Sequence, residues 1–224
     1  KKLREGDQLD RSKNDARDGF VIADLLRTGK FTQTQLLQGP YAELRQYVVQ
    51  YDRLQNDLRR HKSLVSNTAG QLFPELRQAS KDLTGQTALA MLSCHAAVTE
   101  LRDLPLDVFL VDVRAAFQGQ RLMVSKLRCA HALAQDSVGL REGTRALQLS
   151  LRQHVQTLQH LQRQLDEVTE ALQACFLALP EARYMLSIHG LGLTSAAIIL
   201  SEIGDPSHYS SGPQMIKLAG TQPV

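Results

Sequence analysis

The chain has 224 residues, enough for one or two domains, with 26 basic and 23 acidic side chains and a net charge of +3. A pI near 8.8 permits nucleic-acid binding without arguing for it. Three widely separated cysteines, Cys94, Cys129 and Cys175, exclude a disulfide framework and point to a reducing compartment. No run of about 18 apolar residues and no signal segment occurs, so no membrane association is expected and a soluble, cytoplasmic protein is predicted.

Leu, Gln, Arg and Ala dominate, aromatics are 5% and Trp is absent. Unbranched side chains lose little rotamer freedom in a helix, so the composition predicts a mainly α protein with leucine-rich seams. The chain opens on Lys1-Lys2-Leu3 without Met and closes on Leu218–Val224 without tail-like composition, which suggests a fragment of a longer protein.

Residues 1–12 are polar and aperiodic and read as a loop. Asn14 is placed to cap a helix reaching about Arg27, with Gly29 as its stop. Residues 28–40 form a connector whose Gly39-Pro40 suits a first helical turn. Tyr41, Leu44, Val48, Tyr51, Leu54 and Leu58 then recur at three- and four-residue steps, predicting a long amphipathic helix that ends near Gly70, before the break at Phe73-Pro74. Residues 83–140 read as shorter helices punctuated by Gly85, Pro105, Gly119 and Gly139. From about Thr144 a second long helix follows, with Leu158, Leu161, Leu165, Val168, Leu172, Cys175 and Leu179 in strict 3-4 alternation. That spacing predicts a coiled-coil seam, in an arm that folds back on itself or dimerises, although an ordinary helical bundle uses the same stripes. Beyond Pro180, a short helix over Glu181–Ile188, a turn at His189-Gly190-Leu191-Gly192 and a helix over Thr194–Ile203 give the pattern of a helix-hairpin-helix.

Two stretches carry chemistry. Asp15 and Asp18, three apart, put both carboxylates on one helix side, and the row continues into the apolar Ile22 and Leu25, so the acids are expected to face the protein body. Two inward carboxylates call for a cation, and Mg²⁺ accepts a few carboxylates together with waters and phosphate oxygens. Acids at a helix start also complement its dipole with no metal at all. At the second stretch, Gly190 and Gly192 allow a tight turn and close approach of another chain, and the first N–H groups of the next helix, near Leu191 and Thr194, are placed to meet a phosphate. A helix-turn-helix packed for structural reasons reads the same way. Elsewhere, Cys94-His95 and Cys129/His131 lack zinc-site spacing. His154 and His160 read as a solvated face; the small basic cluster Arg59, Arg60 and Lys62 could touch a phosphate backbone or form a plain exposed helix face. Ser210 and Ser211 have no activating neighbour.

In combination these motifs are more specific. Lys13-Asn14-Asp15-x-x-Asp18 followed by Val21-Ile22-Ala23 is similar to the end of the RuvC-like DEDD domain of insertion-sequence 110 family transposases. Leu186-Ser187-Ile188-His189-Gly190-Leu191-Gly192, Ala196-Ala197, Glu202-Ile203-Gly204-Asp205, Tyr209-Ser210 and Leu218-Ala219-Gly220 resemble that family's C-terminal transposase domain. The resemblance implies three parts: residues 1–34 as the end of an RNase H-like domain, 35–180 as a helical coiled-coil region, and 181–224 as the start of a helix-hairpin-helix transposase domain. It further implies a bacterial DNA recombinase in which Asp15 and Asp18 are the third and fourth of four catalytic acids holding Mg²⁺. The first two acids and a nucleophilic Ser would lie outside this chain, leaving it inactive alone. Expected partners are DNA, a structured guide RNA from the element, and further subunits through the coiled coil. Gly19, His189 and Thr221 stand where the family usually has Ala, Pro and Leu. The alternative from another class is a non-catalytic helical module for DNA binding or oligomerisation.

Overall fold

The computed structural model describes residues 15–29, 36–117, 121–209, 211–213 and 215, and all of their regular structure is helical. The chain divides into two compact units, one ending at Leu37 and the other starting at Gln38. Asn14 and the loop predicted over 1–12 lie outside the described residues, as does Gly119.

In the first unit, α1 runs over Asp15–Thr28. Gly29 stops it in the left-handed region (φ +66°), its N–H donating to the Leu26 carbonyl at 3.3 Å.

The second unit is built on two long helices, α2 (Gly39–Leu72) and α8 (Arg145–Leu177). Pro40 occupies the first turn of α2, where its missing N–H costs nothing. The predicted stripe of α2 is its buried side: Leu44, Val48, Leu54 and Leu58 are all buried. The helices pack antiparallel. Cys175 Sγ stands 3.7 Å from the Pro40 carbonyl, and the rings of His61 and His154 are 5.5 Å apart, so equal steps in opposite directions keep the two in register. The seam predicted on α8 faces α2 of the same chain, so the arm folds back on itself. Leu158, Leu165, Val168 and Leu172 are buried in it, and Leu179 lies past the helix end.

His154 departs from its expected place on a solvated face. It is half-buried against His61, and its ring accepts or donates to the Ser150 hydroxyl at 3.2 Å. Burial, and then the neighbouring His61, hold its pKa below the ordinary value. Periodicity alone did not show this, because the apolar stripe of α8 is wide enough to carry a polar ring at its border.

Between the long helices lies a compact insert of α3 (Leu76–Ala79), α4 (Gln86–Cys94), α5 (Val98–Arg102), α6 (Leu106–Ala116) and α7 (Val124–Gln135). Met91, Leu92, Leu101, Phe109 and Leu127 join Leu72, Phe73 and Leu151 in one core, so the insert caps the far end of the hairpin. Polar groups fix it further. Arg102 donates to the carbonyls of Ala134 (2.9 Å) and Ser137 (3.0 Å), and Glu100 pairs with Arg152 of α8 at 3.0 Å. Glu75 accepts from the Ser137 hydroxyl and from the Val138 N–H at 3.0 Å. Burial pushes the Glu75 carboxyl up, but these hydrogen bonds outweigh it and hold it below the usual carboxylate range. Gly139 is buried with its α-carbon against the Leu72 carbonyl, where any side chain would collide with backbone.

At the near end, α9 (Ala182–Leu186) and α10 (Leu193–Ile203) close over the base of the hairpin. Their core is separate: Leu44 and Val48 of α2, Leu172 and Phe176 of α8, Leu179, Ala182, and Ala196, Ala197 and Leu200 of α10. Adjacent alanines on α10 let it approach the hairpin closely, and Arg45 of α2 forms an ion pair with Glu202 across this junction. Gly204 ends α10 with φ +73°.

Candidate functional site

On α1, Asp15 is the first residue of the helix and Asp18 falls one turn later, so the expected helical placement of the pair holds. Asp18 is half-buried. The row expected to face inward does not do so along its length. The covered side runs through Asp18, Val21 and Leu25, whereas Ile22 is 59% exposed. The reason is angular: at about 100° per residue, position 22 falls some 40° to the far side of position 18 from the covered direction. Asp18 therefore sits on the covered side and Ile22 at its margin. Asp24, also half-buried, is engaged by Arg27 at 2.7 Å. Among the described residues no cluster of three or more His, Cys, Asp or Glu is placed to hold a metal.

At the other end of the chain, α9, a turn and α10 form a helix-turn-helix. The turn closes with the Leu191 N–H donating to the Ile188 carbonyl at 3.1 Å, and α10 opens with Ala196 N–H to the Gly192 carbonyl at 2.9 Å. Gly190 adopts φ +85°, a conformation that an L side chain would strain. Gly192 does not: its φ is −73°, and a β-carbon there would meet nothing within 4 Å. Ile188, His189, Gly190 and Gly192 are all exposed, so the turn projects from the body. Leu191 and Leu193 pack down onto the base of the hairpin, and Gln173 of α8 donates to the Thr194 hydroxyl at 3.3 Å. These contacts fix the first turn of α10 against the hairpin; its leading N–H groups have no partner within the helix.

Tyr41, at the start of α2, lies beside Glu181, which precedes α9. Burial, then that carboxylate, push its hydroxyl up to about 12, so it stays protonated at neutral pH. The remaining titratable candidates serve the fold. His95 faces Asp112 at 3.4 Å and Phe109 at 5.6 Å, and His131 Nε2 bonds the Leu104 carbonyl at 2.7 Å. Cys94 is pushed up by burial. Ser210 lies outside the described residues.

A third feature was not singled out from the sequence. A concavity of about 680 Å³ opens beside the apolar seam, between α2, the start of α4, the end of α6 and α8. Its α8 wall is Gln159, Gln162, Arg163 and Asp166, a polar row at three-, one- and three-residue steps that could have been read as one helix side.

The two ends of the chain point to one class of protein. Residues 1–74 match a family model described as a transposase, of the DEDD type found in IS110 elements, and residues 182–224 match the transposase IS116/IS110/IS902 family. Together these matches cover just over half of the chain. The chain belongs to this insertion-sequence transposase family. In the fold the two matched regions meet, since α2 and α10 share the core at the base of the hairpin. No curated protein and no solved structure is similar enough to this chain to match it. DNA is the partner that membership implies. Among the described residues no helix is long and apolar enough to cross a membrane.

Proposed function

We propose that this chain belongs to a DNA transposase in which Asp15 and Asp18 are part of a Mg²⁺-binding set of acids and the turn at Gly190–Gly192 contacts a nucleic-acid backbone. The family membership supplies the activity class: cutting and rejoining of DNA.

One observation carries the backbone contact. The turn is exposed, it leads into α10, and Gly192 is a glycine that neither φ nor packing within the chain demands. A phosphate meeting the leading N–H groups of α10 gains a charge-assisted hydrogen bond and a favourable helix dipole. It needs no base-specific group, which suits backbone contact. Thr194, tied to Gln173, sets the orientation of that first turn.

For the acids, the fit rests on α1. Two carboxylates one turn apart at a helix start suit an ion that takes few protein ligands and completes its shell with water and phosphate oxygens. When bound, Mg²⁺ would neutralise charge on the phosphodiester. By the family resemblance a Ser would be the nucleophile: its hydroxyl would give up its proton and bond phosphorus, the P–O bond to the neighbouring nucleotide would break, that nucleotide would leave with a free hydroxyl, and the other strand end would be held as a phosphoserine ester. The role of the hairpin in assembling subunits and the use of a structured guide RNA follow from the family resemblance.

The test is Asp15→Asn with Asp18→Asn in the transposase that contains this chain. Loss of strand cleavage by at least about 100-fold, with helix content unchanged, is expected. Full activity in the double variant would remove both acids from the metal site.

A further inference from the structure

The stretch from Ala182 to Ser201 contains no Asp or Glu, in a chain with 23 acidic side chains, and Arg183 is its one Lys or Arg. It spans α9, the glycine turn and most of α10. Near its start Tyr184 is 62% exposed, whereas Tyr41, Tyr47, Tyr51 and Tyr209 are all half-buried. The exposed ring is held in place. The Arg183 guanidinium lies over it, 4.5 Å from the ring centroid, and donates to its hydroxyl. Consecutive residues of a helix do not face one another, so Arg183 must fold back along α9 to make this contact. Among the described residues it makes no ion pair, and the nearest acid along the chain, Glu181, is half-buried beside Tyr41.

One face of the Tyr184 ring is therefore covered by a cation, and its exposed area belongs to the other face and the edge. The result is a flat, pre-set π surface beside a positive charge. Ile188, 57% exposed, adds apolar surface between the ring and the turn in sequence. Ser187 N–H donates to the Tyr184 carbonyl at 3.2 Å and Ile188 N–H to the Met185 carbonyl at 3.1 Å, which keeps the chain wound up to the turn. Gly192 follows Tyr184 by eight positions, so the two lie within about 29 Å even for a fully extended chain, and closer for a wound one. A strand of several nucleotides can reach both.

We propose that Tyr184, held by Arg183, is a stacking platform for an unpaired base of a DNA strand whose backbone meets the start of α10. The proposal rests on the reading of the glycine turn as a backbone contact and adds what that contact lacks, a preference for unpaired over duplex DNA. Every base has a π face, so the platform needs no particular sequence, but in a duplex those faces are occupied by neighbouring bases. DNA is the polymer because membership of the transposase family implies it.

The 224-residue chain has no Trp, so Tyr184→Trp gives it one indole reporter at the platform. It is titrated with a single strand of about 12 thymidines, within the usual span of such sites, with an abasic strand carrying the same phosphates, and with a duplex of equal length. Indole emission should be quenched by the thymidine strand alone. By fluorescence anisotropy, Tyr184→Leu should weaken the thymidine strand about tenfold and the abasic strand less than about twofold, while Tyr184→Phe stays within about threefold of the parent. Circular dichroism verifies that helix content is kept. Gly192→Asp tests the turn separately: its carboxylate caps α10 and takes the N–H groups a phosphate would use, so both strands should weaken alike. If they do not, while quenching persists, the turn contact fails and the platform stands. No binding of the thymidine strand, binding without quenching, equal quenching by the duplex, or equal losses for both strands in Tyr184→Leu overturns the platform. Emission that follows protein concentration instead of added strand also overturns it, and assigns the face to a second copy of the chain.

Discussion

Gly139 offers a sharp test of how the insert is locked onto the hairpin. Replacing it with Ala would place a β-carbon 2.2 Å from the Leu72 carbonyl oxygen, 2.9 Å from the Leu72 carbonyl carbon and 3.3 Å from Pro74 Cδ. Carbon and oxygen normally approach to no less than about 3.3 Å, so one strand of backbone must retreat by roughly 1 Å. Neither a main-chain carbonyl nor a proline ring can rotate away. The retreat strains three hydrogen bonds around the site: Leu140 N–H to Gln71 carbonyl (3.3 Å), Gly139 N–H to Ser137 hydroxyl (3.1 Å) and Val138 N–H to Glu75 (3.0 Å). Overpacking costs about 1–3 kcal/mol, and one weakened hydrogen bond adds about 1 kcal/mol. Gly139→Ala is therefore expected to destabilise by about 2–4 kcal/mol. For a chain of this length that lowers Tm by roughly 5–12 °C, read by circular dichroism at 222 nm. Gly70→Ala is the matched control. Gly70 lies inside α2 with nothing within 4 Å of a new β-carbon, so the same substitution there stabilises by about 0.5–1 kcal/mol. A Gly139→Ala chain melting within about 2 °C of the parent would refute the reasoning.

Other expectations follow from the same structure. Phe176→Ala, at a fully buried position between α2, α8 and α10, should cost about 3–5 kcal/mol in urea unfolding, and a loss under 1 kcal/mol would contradict the shared core. Gly190→Ala should cost about 1 kcal/mol because of its φ of +85°, whereas Gly192→Ala should leave stability within about 0.5 kcal/mol; similar costs at both would sink the distinction drawn between them. His154 has a folded pKa depressed below 6.5 by burial and by His61. Above 6.5 the imidazole is neutral in both states, and as pH falls through 6.5 the unfolded chain binds the proton first, so stability is lost on acidification. Tm should fall between about pH 7.5 and pH 6, and His154→Gln should flatten that dependence; an unchanged slope in the variant would refute the assignment.

Much of this architecture was legible in the sequence because it rests on local rules. Spacing of Leu44, Val48, Leu54 and Leu58 defined the buried side of α2, Pro40 and Gly29 marked helix boundaries, and the paired glycines located the turn after Pro180. The motifs at Asp15–Asp18 and Leu186–Gly192 pointed to the family, since they depend on residue identity rather than on packing. Periodicity has no term for what lies opposite a stripe. A 3-4 seam serves a partner subunit or its own chain equally well, and only the register of residue 40 beside 175 and 61 beside 154 decided for the latter. The same blindness put His154 on a solvated side and Ile22 on a covered one, because the angle at which a helix meets its neighbours is a tertiary quantity. Gly139 read as punctuation, and the structure shows it as a contact between two segments more than sixty residues apart. The polar row on α8 became the wall of a concavity only when α2, carrying Lys62, was folded back beside it. Local propensity and motif thus determined the helices and the family, while the antiparallel closure of the hairpin decided which side chains share a surface.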